Sequence, residues 1–314
     1  MRAIQTCLCG ARREYCEDAL FASENCAVVI DGATGVTGER VSGAATDALW
    51  LAQQLCRFFA RNAARADSLL SLMRGAARHC AGRYARFPGA DAVQDKPSAC
   101  VTAVREKDGF LEYYSLCDTV LIARKKSGEV LHILDDRLTA LDAECCEILR
   151  EEAKRRGCAV RDAFPAIVPR ILENRRNMNR KGGYAAFSLT VRGLDTALQG
   201  KIPLGELEDV LLFSDGFAEI YDLFGIFPSP EALISFVAEQ GVFAAVRLLR
   251  GAQDADPCCE RYPRNKLRDD MAVVYAKIGT VQTGGSPRKT AGCPPFMPCP
   301  APAVSALRVP AGFS

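Results

Sequence analysis

Four short apolar segments in the middle of the chain are separated by turns of a few residues, and this spacing constrains the fold more than any other feature. Two of the turns carry Asp108-Gly109 and Ser127-Gly128. Connections this short join antiparallel neighbours, because a parallel crossover needs about a dozen residues or more. The sequence therefore predicts an antiparallel meander. Its strands are predicted at residues 99–104, 111–116, 119–123 and 129–134.

Amphipathic helical patterns lie on both sides of this meander, and we expect Thr37 to cap the first helix. The separation of helices from hairpin-connected strands argues against a doubly wound parallel sheet and predicts an α+β sandwich with the helices outside. Residues 11–18 are interpreted either as an edge strand with solvated charges or as an anion-binding arginine next to metal-directed carboxylates. The other predicted strands are residues 28–30, 184–190, 210–213 and 271–275. The predicted helices are residues 48–59, 69–84, 138–149, 166–178, 231–239 and 242–250.

Three of these strands have an aspartate at one end. Asp31-Gly32 and Asp215-Gly216 each end an apolar strand, and Asp269 comes shortly before another. A carboxylate at the rim of a core is costly unless a cation compensates its charge, and a metal ion is one such cation. The pattern therefore predicts an oxygen-rich cluster suited to a metal.

The charge balance and the short apolar runs argue against a nucleic-acid-binding protein and against a membrane protein. Lys and Arg number 40 against 38 Asp and Glu, so the chain has no general attraction to nucleic acid or to an anionic membrane. No apolar run approaches the roughly 20 residues that span a bilayer, and no signal-peptide pattern opens the chain. We expect a cytoplasmic protein that binds neither nucleic acid nor membrane.

Cysteine and histidine usage narrows the chemistry further. The 15 cysteines are odd in number and scattered, which argues against a disulfide framework, and we expect most of them to be small buried hydrophobes. With only His79 and His132, the chain has little from which to build a histidine-rich zinc site or a Ser-His-Asp triad. Residues 1–278 are predicted to form one domain, and the Pro- and Gly-rich residues 279–314 a disordered tail.

Five segments, taken in order, carry a family resemblance: RREYCED, VVIDGATG, SLCDTVLI, VLLFSDG and RDDMAVVY. Together they resemble the motifs of the type 2C metal-dependent protein phosphatases, from about Arg13 to Tyr275. The resemblance implies a four-layer α-β-β-α sandwich with two central, mainly antiparallel sheets. It also implies two Mn2+ or Mg2+ ions at one edge of the sheets, with a third, weaker ion.

The resemblance assigns the direct metal ligands. Asp31 matches the carboxylate that bridges both ions, and the Gly32 carbonyl is its neighbouring ligand. Asp215 and Asp269 resemble the remaining direct ligands.

Four further residues match supporting positions of the family. Glu17 and Asp18 resemble the acidic pair that acts directly or through metal-bound water. Asp118 falls where the family has an Asp associated with the third ion, and Arg13 matches the arginine that grips the substrate phosphate. The implied reaction is hydrolysis of phosphoserine or phosphothreonine in a phosphorylated protein substrate, by a water that bridges the two ions.

The chain departs from the family pattern at three positions. Ala33 stands where many members have His, so another group or a water must protonate the leaving alkoxide. Cys117 precedes Asp118 where Gly is more common, and Asp270 follows Asp269 where many members have Asn. We expect these three changes to affect turnover and the affinity for the third ion more than the fold.

Other functions stay open at this stage. A pseudophosphatase would keep the fold as a regulatory binding module, and a nuclease would use the same metal pair but usually needs a basic groove. The basic run over residues 170–181 is either a solvated helix face or a contact for a phosphorylated partner.

A cysteine phosphatase would need the spacing Cys-x5-Arg in a Gly-rich loop that leads into a helix, and no copy of that spacing here clearly meets this condition. That spacing occurs at Cys7/Arg13, Cys80/Arg86 and Cys258/Arg264.

Overall fold

Two antiparallel β-sheets lie face to face at the centre of the computed structural model, which describes residues 1–12, 14–264 and 266–279. The first sheet contains, in spatial order, β1 (Arg2–Cys9), β11 (Met271–Lys277), β10 (Leu207–Phe213), β6 (Val120–Lys125) and β7 (Val130–Ile133). The second contains β2 (Ala19–Ala22), β3 (Cys26–Ala33), β4 (Ser98–Lys107), β5 (Phe110–Leu116) and β9 (Leu198–Pro203), and β8 (Phe187–Ser188) pairs with β4.

Helices cover the outer face of each sheet. On the second sheet lie α1 (Asp47–Asn62) and α2 (Leu69–Tyr84), and on the first lie α5 (Asp215–Asp222), α6 (Pro230–Gln240) and α7 (Val242–Asp254). The segment between β7 and β8 contains α3 (Thr139–Arg156), α4 (Val168–Asn177) and an intervening 3-10 helix (Val160–Ala166), with a small apolar cluster of its own. None of the helices in the described ranges has the length and apolar composition needed to cross a membrane.

The alternation of side chains along each central strand creates the layers. In β3, Val28 and Ile30 pack against α1 and α2, whereas Ala27 and Val29 face the other sheet. Burying a side chain such as Val or Ile stabilises the fold by about 1.5–3 kcal/mol, so strands that are apolar on both faces are stable only between two layers. The α+β sandwich and the four-layer order predicted from the sequence are confirmed.

The first predicted helix start was wrong. Gly38 and Gly43 both have φ of +75°, which interrupts a helix, and the Thr37 hydroxyl contacts the Glu39 carboxylate instead. Helix α1 begins at Asp47, and its cap is Thr46, whose Oγ1 accepts a hydrogen bond from the Leu49 amide at 3.1 Å.

The predicted four-strand meander was wrong at its middle turn. β4 pairs with β5 and β6 pairs with β7, but β6 pairs with β10 on its other side, so β5 and β6 belong to different sheets and residues 117–119 connect the two sheets.

Two further strand predictions also need correction. Residues 11–18 do not form an edge strand in their described part, because the Asp270 carboxylate accepts hydrogen bonds from the Ala11 and Glu17 amides that a sheet partner would need. The strand predicted at 184–190 shortens to Phe187–Ser188, and β1, β2 and β9 were not predicted. The tail predicted over residues 279–314 lies outside the described residues after Gly279.

The corrected cap can be tested with two threonines. Thr46→Ala should lower the free energy of unfolding by about 1 kcal/mol, because it removes the acceptor for a helix N-terminal amide. Thr37→Ala, the matched control, should change it by less than about 0.5 kcal/mol. Urea unfolding followed by circular dichroism measures both. A larger loss in Thr37→Ala than in Thr46→Ala would contradict the cap seen in the structure.

Candidate metal centre

The predicted aspartates meet at one edge of the sandwich. Asp31 lies near the end of β3, Asp215 follows β10 as the first residue of α5, and Asp269 comes just before β11. Ala19 pairs with Ile30 between β2 and β3, so the next step of the register places Asp18 opposite Asp31. Strand ends of both sheets therefore bring carboxylates to the same place.

These carboxylates repel one another in a partly dehydrated setting. Burial raises the pKa of Asp31 well above its usual range, and the nearby carboxylates of Asp215, Asp18 and Asp118 raise it further. The carboxyl groups of Asp31 and Asp215 are close enough to share a hydrogen bond. Burial, followed by the Asp215 carboxylate, raises the pKa of Asp118 to about 7. The cluster is therefore a place where added positive charge would be strongly favoured.

Two of the carboxylate oxygens lack any partner within the described structure. Asp18 Oδ2 and Asp118 Oδ1 are both buried and have no hydrogen-bond donor in reach. Buried polar atoms are nearly always satisfied by protein, water or an ion, and Mg2+ and Mn2+ prefer carboxylate oxygen. These orphaned oxygens fit a hard divalent cation.

Ser214, which follows β10 of the first sheet, lies beside Asp18 and directly before Asp215. Burial raises the pKa of Asp18, and the neighbouring Ser214 hydroxyl lowers it. The Ser214 hydroxyl accepts a hydrogen bond from the Ala272 amide at 2.9 Å, and this fixes the hydroxyl between the ends of β10 and β11. One serine therefore lies between a carboxylate of the second sheet and two strands of the first.

Two glycines allow the loops to approach the metal-site strands closely. A Cβ on Gly32 would lie 2.5 Å from the Glu17 carbonyl oxygen, and one on Gly216 would lie 2.0 Å from the Asp270 carbonyl oxygen. The Asp270 side chain accepts hydrogen bonds from the Ala11 and Glu17 amides at 2.6 Å each. Asp270 therefore supplies two acceptor oxygens that hold the Ala11 and Glu17 amides beside the cluster.

The remaining predicted residues have different outcomes. Glu17 is half-buried, and its carboxylate accepts a hydrogen bond from the Thr34 hydroxyl. Arg13, predicted to bind phosphate, lies outside the described residues.

In the basic run of residues 170–181, Arg175 forms an ion pair with Asp95, which also accepts a hydrogen bond from the Val36 amide at 2.9 Å. Arg175 therefore connects α4 to the loop that follows β3.

Lys266 is a site residue that the sequence patterns did not reveal. Its Nζ lies 2.9 Å from both carboxylate oxygens of Asp269. Although desolvation lowers the pKa of this lysine, the carboxylates of Asp269, Asp215 and Asp31 raise it by more. A lysine three residues before an aspartate outside a helix carries no distinctive spacing, so only the folded loop shows that the two side chains meet.

Comparisons with known proteins agree with this architecture. The family model described as protein phosphatase 2C matches residues 10–249. The serine/threonine phosphatase PstP/Ppp of Mycobacterium tuberculosis is 16% identical, with 88% of this chain and 98% of that chain covered and a TM-score of 0.51. Its catalytic domain in complex with two manganese ions is also 16% identical, with the same coverages and a TM-score of 0.50.

A third structure extends the comparison. PppA, a key regulatory component of T6SS in Pseudomonas aeruginosa, is 15% identical, with 87% of this chain and 96% of that chain covered and a TM-score of 0.51. Comparison with curated protein sequences gives no match. At these identities the structural similarity establishes the fold, whereas the family model extends over most of the domain.

The raised pKa values predict a pH dependence of stability in excess chelator. A native pKa of about 7 for Asp118, against about 3.9 unfolded, means that the native state binds more protons between these values. The free energy of unfolding should therefore rise by about 1 kcal/mol or more from pH 8 to pH 6, and this stabilisation is lost as the pH rises through about 7. Urea unfolding at both pH values measures it.

Asp118→Asn provides the control for this experiment, because an amide cannot titrate and the difference between the two pH values should shrink. Mg2+ added at pH 8 should offset the deficit of the unsubstituted chain. Equal stability of the metal-free protein at both pH values would contradict the proposed repulsion.

Proposed function

Because the chain belongs to the protein phosphatase 2C family, we propose that it hydrolyses phosphoserine and phosphothreonine phosphomonoesters in proteins and requires Mn2+ or Mg2+ to do so. The observation that carries this proposal is the group of crowded carboxylates in which Asp18 Oδ2 and Asp118 Oδ1 have no donor in the described structure. A protein that only bound a partner through this fold would gain nothing from burying such repulsive charge.

In this proposal, carboxylates from both sheets hold the cations. Asp31 would be shared between two ions, with the Gly32 carbonyl as its neighbour. When bound, such ions supply the Lewis acidity that activates water and neutralises charge on the phosphoryl group. The residues proposed to hold them are Asp18, Asp31, Gly32, Asp118, Asp215 and Asp269, with Glu17 acting directly or through water.

The chain itself contributes orientation and phosphate binding. Ser214 lies beside the Asp18 carboxylate, and Asp270 holds Ala11 and Glu17 in place through the two hydrogen bonds described above. Arg13, four residues before Glu17 in the sequence, is proposed to bind two oxygens of the substrate phosphate through its guanidinium fork. Since Ala33 cannot donate a proton, the leaving alkoxide must take its proton from another group or from water.

The decisive experiment is phosphate release from a phosphothreonine peptide with Mn2+, with Mg2+ and with excess chelator. Asp31→Asn should lower the rate by at least about 10²-fold, because it removes the charge that both ions share. Asp67→Asn, at an exposed aspartate before α2, is the matched control and should retain the full rate. Full activity in chelator would refute the metal requirement. A folded protein without activity under any condition would favour the regulatory binding module.

Lys266 gives a second, independent test of the cation site. Its ammonium group occupies both oxygens of Asp269, so an incoming cation must displace it. Lys266→Gln should strengthen Mn2+ binding by about twofold to fivefold, the equivalent of an exposed ion pair. Calorimetric titration with Mn2+ measures this effect.

Arg268→Gln is the control for that titration. It also removes one positive charge close to Asp269, but Arg268 pairs with Asp254 instead. An equal gain in both variants would indicate a general charge effect, and no gain in Lys266→Gln would argue against displacement.

A further inference from the structure

Cys100, Cys117 and Asp118 form a compact group of ligating side chains at the edge of the second sheet. Their two Sγ atoms and one carboxylate oxygen all lie within 4.8 Å of one another. Among residues 1–12, 14–264 and 266–279, it is the one group of at least three His, Cys, Asp or Glu side chains that meets this distance.

Strand register brings the two cysteines together. Val101 pairs with Leu116 between β4 and β5, so one further step places Cys100 opposite Cys117. Cys100 also pairs with Asp31 across β3 and β4. Cys117 then has φ of +69°, a left-handed conformation that turns the chain after β5 and is followed directly by Asp118.

The surroundings of this group favour a cation. Cys100 is 7% exposed and Cys117 is 2% exposed, and both lie in an apolar cluster with Tyr184 that excludes water. Asp118 Oδ1 is buried without a hydrogen-bond partner in the described structure. The nearby Asp31 carboxylate adds negative charge. The site therefore combines two sulfurs, one unsatisfied oxygen and a negative potential in a poorly hydrated setting.

We propose that Cys100, Cys117 and Asp118 bind a thiophilic divalent cation, Zn2+, at a site distinct from the carboxylate centre but sharing Asp118 with it. Two sulfur ligands favour Zn2+ over Mg2+ or Mn2+, which prefer oxygen. Three protein ligands would leave one tetrahedral position open for water. The S–H protons pass to solvent as Zn–S bonds form, so neither an oxidant nor a reductant is required.

The spacing of the ligand atoms is compatible with this ion. For three atoms no more than 4.8 Å apart, there is a point within about 2.8 Å of all of them, which is 4.8 Å divided by the square root of three. Zn2+ binds sulfur at about 2.3 Å and carboxylate oxygen at about 2.0–2.2 Å. Side-chain movements of less than about 1 Å would therefore complete the coordination, without a change in strand pairing.

Occupancy would also affect the neighbouring carboxylate centre. Zn2+ bound here would withdraw Asp118 from the hard cations, so it should inhibit the phosphatase reaction. This consequence rests on the proposed function, whereas binding of Zn2+ does not. The test therefore measures binding by spectroscopy and does not use activity.

The experiment titrates the full, reduced chain with Cd2+ in excess Mg2+ and follows the ultraviolet charge-transfer absorbance of cadmium thiolates. We expect one Cd2+ per chain, displaced by Zn2+. Cys100→Ser and Cys117→Ser should abolish the band. Asp118→Asn should weaken binding by about tenfold or more, because loss of even an outer partner of a metal ligand costs about 10- to 100-fold in affinity.

A second cysteine pair provides the matched control. The Sγ atoms of Cys7 and Cys9 on β1 are 3.3 Å apart, but no third ligating side chain is grouped with them in the described ranges. The double variant Cys7→Ser, Cys9→Ser should retain the full band. Loss of the band in this variant, or its persistence in Cys100→Ser, would overturn the assignment.

A measurement on the unsubstituted protein covers the case in which a variant fails to fold. X-ray absorption of the chain loaded with one Zn2+ should show two sulfur neighbours together with oxygen or nitrogen neighbours. A shell of oxygen and nitrogen alone would refute the proposal. A protein with a Cys100–Cys117 disulfide that persists in reductant, detected by mass spectrometry, would refute it as well.

Discussion

Repulsion between carboxylates at the edge where the two sheets meet is the constraint on which the site depends. Asp18 and Asp31 come from the second sheet, and Asp215 from the first, so the cluster exists only when both sheets are packed together. The three sets of core side chains, one between the sheets and one under each helical layer, provide the stability that offsets this repulsion. Added positive charge, as from Lys266, then acts on carboxylates that the fold has already brought to one edge.

Close backbone packing, and not only charge, positions these ligands. The 11–17 loop approaches Gly32 and the Asp270 backbone approaches Gly216 at distances that no side chain would allow. Each Asp-Gly pair therefore combines a carboxylate with the space that its neighbouring loop needs. Asp270 secures the same loop through two backbone amides, which explains why an acidic residue is suitable there even though it adds charge near the cluster.

Much of this architecture could be predicted from local patterns. Short turns predicted the hairpins β4–β5 and β6–β7, but not that the chain crosses from one sheet to the other between them, because a short turn does not show whether its two strands pair. The alternation in strands such as β3 is compatible with burial on both faces. The Asp-Gly strand ends predicted where carboxylates would converge. The cap was missed because Thr37 and Thr46 are chemically equivalent, and the choice depends on Gly38 and Gly43 between them. Lys266 was missed because its loop contact with Asp269 has no local pattern.

The cysteine group shows most clearly where a single sequence stops being informative. Cys100 and Cys117 are separated along the chain by a whole hairpin, and only the register of β4 and β5 makes them neighbours. Cys117 also adopts a left-handed conformation, which costs a residue with a side chain about 1–2 kcal/mol and costs glycine almost nothing. Cys259 is also buried and has φ of +56° outside both candidate sites, so this conformation alone does not identify a ligand. Cys117 differs because its Sγ lies within 4.8 Å of the Cys100 Sγ and an Asp118 oxygen. A sulfur that occupies a glycine-like turn, beside an unsatisfied carboxylate oxygen, is therefore better explained as a ligand than as a small buried hydrophobe.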